Sequence, residues 1–192
     1  MAEKMKFCVK KKPLSGNGKC GDLSFIKEFD GKIMVAVIDG LGHGERAEDA
    51  AVKAAEYLEN NYRLNLSEIF YGCNEFLKGT VGAAMGIALI NRDNCRITFA
   101  GVGNIGARVV SDKSFSLASD FGIVGGEIRK VREENSEFRD GDMIIMFSDG
   151  ISEKFDAFSY KENVRSDPQR LAEAISNEFC RSHDDSIIVV GH

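Results

Sequence analysis

Proline is nearly absent from this chain of 192 residues: only Pro13 and Pro168 occur. No linker rich in proline, glycine and serine interrupts the sequence, and it carries no internal repeat or low-complexity tract. With about 150 residues as the working size of a domain, residues 1–192 are expected to form a single domain. Cysteine offers no framework either. Cys8, Cys20, Cys73, Cys95 and Cys180 are odd in number, and no two stand at CxxC spacing. That disfavours a disulfide scaffold and a zinc ribbon, and leaves reduced thiols in a cytoplasmic protein as the expectation. Long apolar runs are missing. The stretch from Ile33 to Ile38 is far below the ~20 residues of a membrane span. The N-terminal MAEKMKFCVKKKP lacks the apolar region of a signal peptide. Nor is there an excess of basic charge: 30 acids against 25 bases give −5, so composition supplies no basic face for nucleic acid.

What the sequence does contain is ordered punctuation. Leu23 to Phe29 reads as a strand, and Asp30-Gly31 is a two-residue hairpin turn. Lys32 to Ile38 follows as a nearly continuous apolar strand, the pattern of one covered on both faces. Ala47, Ala50, Ala51, Ala54, Ala55 and Leu58 then form a helical stripe, with Glu45, Glu48 and Asp49 near its start. A second helix is expected from about Ser67 to Lys78, stopped by Gly79. Ala83 to Asn91, Cys95 to Gly101 and Ile105 to Ser111 read as strands, Lys113 to Asp140 as less regular chain, and Met143 to Phe147 as a strand again. Asp167-Pro168 marks the N-terminus of a helix running to about Arg181, and a strand from Ser186 to Val190 closes the chain. Strands joined by hairpins, with helices between them, imply an α+β sandwich of antiparallel sheets flanked by helices.

Carboxylates recur at the strand ends. Asp39 follows Ile38, Asp149 follows the strand ending at Phe147, Asp184 precedes the strand beginning at Ser186, and Asp22 precedes the first hairpin. Such acids converging on one rim would repel one another unless cations or shared protons balanced them. Oxygen donors without His or Cys partners favour Mg2+ or Mn2+, and Gly40 lets a backbone carbonyl approach the same ion. A pair of ions could activate a bridging water and clamp a phosphoryl oxygen, with no side-chain nucleophile.

Asp39-Gly40-Leu41-Gly42-His43-Gly44, Ser148-Asp149-Gly150 and Asp184-Asp185, in this order, resemble the signature blocks of the metal-dependent type 2C protein phosphatases. The DGxGHG form, Cys20-Gly21-Asp22 and the small size are similar to the bacterial SpoIIE/RsbX branch, and Gly101-Val102-Gly103-Asn104 is similar to a further block of it. The resemblance spans about Asp22 to Val190. It implies an α-β-β-α sandwich and a protein serine/threonine phosphatase using Mn2+ or Mg2+, with two ions and a bridging hydroxide. It further implies that Asp39 bridges the ions, Gly40 lends its carbonyl, Asp149 and Asp184 hold one ion, and Asp22 faces the other through water. Asp185 stands as the alternative to Asp184. The implied partner is a phosphorylated regulatory protein, a STAS-domain component of the stressosome. The phosphate-binding arginine of the eukaryotic members has no counterpart near the N-terminus; Lys10, Lys11, Lys12 or Arg46 could replace it.

Other residues are weighed beside these. His43 could protonate the leaving oxygen, or simply cap the next helix or orient Asp39. Ser119 to Gly126 has the composition of a loop that contacts substrate. Two competing functions remain: a scaffold that keeps the fold and binds a regulator without turnover, and a two-metal hydrolase of other phosphoesters.

Overall fold

The computed structural model describes residues 4–14 and 18–192. The reading of the extreme N-terminus therefore falls partly on residues 1–3, outside the described residues. Ten strands form two five-stranded sheets in which every pairing is antiparallel. The first sheet contains β2 (Asp22–Phe29), β3 (Lys32–Gly40), β4 (Ala83–Asn91), β5 (Arg96–Val102) and β8 (Glu134–Glu137), in that spatial order. The second runs β1 (Phe7–Lys12), β10 (Ser186–Gly191), β9 (Met143–Phe147), β6 (Gly106–Val110) and β7 (Ser114–Leu117). Helices α1 (Glu45–Asn61) and α2 (Leu66–Phe76) cover the first sheet; α4 (Pro168–Phe179), preceded by the short α3 (Glu162–Arg165), covers the second.

The continuous apolar strands are explained by this layering. On β3, Val35 and Val37 point into the core between the sheets, while Met34, Ala36 and Ile38 point at the helices. On β9, Ile144 and Met146 enter the same central core, and Met143, Ile145 and Phe147 pack under α4. Successive side chains alternate between faces, so a strand with two covered faces needs apolar residues at nearly every position. The buried alanines Ala47, Ala50, Ala51 and Ala54 let α1 lie close to its sheet. Asn65 and Glu68 form a capping box on α2, and Asp167 accepts from the N–H groups of Gln169 and Arg170 at the start of α4, beside Pro168.

Three strands were not expected. β1, which contains Lys10-Lys11-Lys12, is the edge strand of the second sheet, paired with β10 from Phe7–Gly191 to Lys12–Ser186. β7 and β8 fall in the region read as irregular. They too are edge strands of four mostly exposed residues each; Glu134–Glu137 is polar throughout, and Ser114–Leu117 is too short for its alternation to stand out. Among the described residues no helix is long and apolar enough to cross a membrane.

Candidate metal centre

The hairpin between β2 and β3 places Asp22 directly opposite Asp39 in the first sheet. Like charges in that position destabilise a sheet. In the second sheet, Phe147 of β9 pairs with Ile188 of β10, so the end of one strand and the start of the next bring Asp149 and Asp184 side by side. Both pairs open onto the same end of the sandwich, and the charges of Asp149 and Asp184 act on both Asp22 and Asp39.

Close approach of the backbone shapes this rim. A Cβ on Gly40 would lie 2.0 Å from the carbonyl oxygen of Ala47, so only glycine lets α1 seat against the end of β3. A Cβ on Gly150 would lie 1.9 Å from the carbonyl oxygen of Asp185. Asp39 and Asp149 are thus each followed by the residue that allows the neighbouring chain to close on it.

Burial and repulsion raise the pKa of three of these acids. Asp22 is 1% exposed; desolvation, reinforced by its acidic neighbours, pushes its pKa to about 7 despite a hydrogen bond from Ser148. Desolvation together with the charges of Asp22, Asp149 and Asp184 pushes Asp39 to about 9. Asp149 is raised by burial and by Asp184, and held back by the charge of Arg181 and a hydrogen bond from Asn104. None of the ion pairs among the described residues involves these four carboxylates.

Two supporting residues were not singled out from sequence. Ser148, fully buried, donates its Oγ to Asp22 Oδ2 at 2.5 Å and accepts the Ile187 N–H at 3.1 Å, tying one sheet to the other. Asn104, in the turn after β5, donates Nδ2 to Asp149 Oδ2 at 2.5 Å. The only sequence signal for either is its place beside or within a motif.

Asp185 has a different task. Its two carboxylate oxygens accept the backbone N–H groups of Leu14 and Gly21, each at 2.7 Å, and it is 3% exposed. It anchors the segment that leads into β2, whereas Asp184 stands beside Asp149. His43 is exposed and makes no hydrogen bond among the described residues. Lys10 is committed to Glu173 of α4 at 2.6 Å. The loop read as a substrate contact is pinned: Asp120 exchanges backbone hydrogen bonds with Gly101 and Gly103, and its side chain holds Arg132. From this pinned loop Phe121 projects at 95% exposure.

The donor chemistry fits hard divalent cations: carboxylate oxygens, plus the carbonyl of Gly40, at a desolvated site with no paired base. No three of the described His, Cys, Asp and Glu side chains close into a ready-made ligating group. The acids stand as two pairs, an arrangement that would leave water to complete the coordination of each ion.

The comparisons agree with this architecture. The family model described as Stage II sporulation protein E (SpoIIE) matches residues 30–190. Phosphoserine phosphatase RsbX of Bacillus subtilis (strain 168) is 29% identical over 141 residues, covering 71% of this chain and 70% of that protein. A solved chain from work on the bacterial stressosome, a modular system adapted to control secondary messenger signalling, superposes with a TM-score of 0.92 at 29% identity, covering 99% of this chain and 100% of that one. The crystal structure of RsbX in complex with magnesium gives a TM-score of 0.85 at 24% identity, covering 97% of this chain and 94% of that one. With two antiparallel sheets between helix layers and a family match over most of its length, the chain belongs to the SpoIIE family and is a protein phosphatase.

Proposed function

We propose that this phosphatase depends on Mn2+ or Mg2+ and removes phosphate from phosphoserine or phosphothreonine of a bacterial regulatory protein. A STAS-domain protein of the stressosome is the first candidate, since similarity to RsbX and to the stressosome chain points there. The reading takes residues 1–192 as one catalytic domain working in the cytoplasm. The observation that carries it is the set of three desolvated carboxylates, Asp22, Asp39 and Asp149, with Asp184 beside them, contributed by both sheets and matched by no ion pair.

Asp22, Asp39, Asp149 and Asp184, with the carbonyl of Gly40, would hold two ions; Asp185, spent on backbone amides, would not. Bound ions of this kind activate water for attack and neutralise charge on the phosphoryl oxygens. The protein's own residues prepare that site. Ser148 locks the carboxylate of Asp22, and Asn104 orients that of Asp149. Asp39 and Asp149, half-buried, face outward, where a phosphorylated side chain can reach them. Phe121 offers an apolar contact to the protein that carries it. A cysteine mechanism is disfavoured at Cys20, two residues from Asp22: burial pushes its thiol up to about 11, so it stays protonated at neutral pH.

The experiment is phosphate release from a serine-phosphorylated STAS-domain protein and from p-nitrophenyl phosphate, with and without Mn2+. Metal-dependent release from both supports the reading. Tight binding of the phosphoprotein without release from either would favour the scaffold, and release confined to other phosphoesters the third function.

A further inference from the structure

A phosphomonoester brings about two negative charges to a rim already built of carboxylates, and the sequence alone left its cationic partner open among Lys10, Lys11, Lys12 and Arg46. The fold commits Lys10 to Glu173 on the far side of β1. Lys19 is bound to Glu45 and Glu48 of α1. Arg108 is spent on the carbonyls of Phe155 and Glu153 and lies 4.4 Å from the Phe155 ring centroid.

Arg181 is different. The segment leaving α4 is stitched to the segment leaving β9 by two backbone hydrogen bonds that together make one antiparallel bridge, between Ile151 and Cys180. The Ser152 N–H donates to the Phe179 carbonyl at 2.9 Å, and the Arg181 N–H donates to the Gly150 carbonyl at 2.8 Å. The backbone of Arg181 is thereby fixed beside the residue that follows Asp149, and three residues before Asp184. Its side chain is exposed and makes no ion pair or side-chain hydrogen bond among the described residues. Its charge is nonetheless felt at Asp149. Its guanidinium keeps all five N–H donors for a ligand, in the planar fork that suits phosphate oxygens.

We infer that Arg181 is the phosphate-binding cation of this site, holding the phosphomonoester dianion beside Asp149 and Asp184. The inference rests on the proposed function and names a residue that the sequence reading did not consider. Because the anchor is a backbone N–H, a side-chain substitution leaves the stitching intact.

The test uses the full chain loaded with Mn2+, as wild type, Arg181→Ala, Arg181→Lys and Arg46→Ala. Three quantities are measured: KM and kcat for p-nitrophenyl phosphate, and the Kd of inorganic phosphate by calorimetry. Loss of a charge-assisted contact predicts that Arg181→Ala raises KM and the phosphate Kd together, by about 10- to 100-fold. Arg181→Lys recovers part of the loss, Arg46→Ala stays within about twofold of wild type, and Mn2+ affinity is not weakened in any of them. The inference is overturned if Arg181→Ala binds phosphate as wild type does, or if Arg46→Ala takes the loss. A wild type that neither turns over the ester nor binds phosphate with Mn2+ present would defeat the proposed function itself, and Arg181 with it.

Discussion

The two ends of the sandwich carry the same residue type in opposite states. At the end away from the carboxylate rim lies a cavity of about 680 Å³, lined among others by Lys4, Arg92, Phe138, Arg139, Asp140 and His192. Every acid there has a defined partner: Asp140 pairs with Arg92 at 2.9 Å, Asp142 accepts the Arg139 N–H at 2.7 Å, and Asp167 caps α4. At the other end Asp22 and Asp39 face each other with no base paired to them. This hollow is thus at the satisfied end, and the unbalanced charge is at the other; desolvated acids without counter-charge are what single out the rim as the proposed site.

The sharpest way to break the comparison is to neutralise one acid at each end. Asp39→Asn should lower turnover of p-nitrophenyl phosphate by at least about a thousandfold, as expected when several kcal/mol of ion-dependent stabilisation is lost. Asp140→Asn should stay within about twofold of wild type. Equal effects would erase the distinction. Next comes Ser148→Ala, which strips the buried Asp22 of its donor. Mn2+ affinity should fall about 10- to 100-fold, and stability by about 1–3 kcal/mol, read by calorimetry and denaturant melts. Phe121→Ala sharpens the comparison at the rim itself. It should raise KM for a phosphorylated STAS-domain protein about tenfold, the loss expected for a modest interface anchor, and leave p-nitrophenyl phosphate unaffected.

The smallest expected effect is on stability against pH. An unfolded carboxylate loses its proton near about 3.9, whereas Asp22 and Asp39 hold theirs to about 7 and about 9 in the folded, ion-free protein. The folded state therefore binds more protons, and stability falls as pH rises through that window. The ion-free melting temperature should drop between pH 5.5 and 8.5. Asp39→Asn should flatten the slope, and Asp140→Asn should not.

Much of the fold was legible because most strands announce themselves. β3 and β9 are apolar at nearly every position because both of their faces are covered, and the Asp30-Gly31 turn fixes the β2–β3 register. β1, β7 and β8 escaped because short, exposed edge strands carry too little apolar pattern to announce themselves, as Glu134–Glu137 shows with the sequence ENSE. Asp39, Asp149 and Asp184 could be picked out as acids at strand ends. Their supports could not. Ser148 meets Asp22 across 126 residues of sequence, through a pairing between sheets that no local pattern encodes. Asp185 stands as the alternative to its neighbour Asp184 in sequence, yet one lies beside Asp149 while the other accepts backbone N–H groups from Leu14 and Gly21. Arg181 lies in a segment whose position is set by its bridge to Ile151 through Cys180, again a tertiary fact.

The central claim is that the unbalanced carboxylates exist to hold cations. The most direct measurement is Mn2+ binding by calorimetry at pH 7.5 in buffers of different ionisation enthalpy, for wild type and Asp39→Asn. Wild type should bind two ions and release protons as Asp22 and Asp39 ionise, and Asp39→Asn should lose most of that binding and release. Absence of saturable binding in wild type, or binding of equal strength and proton release in the variant, would contradict the claim.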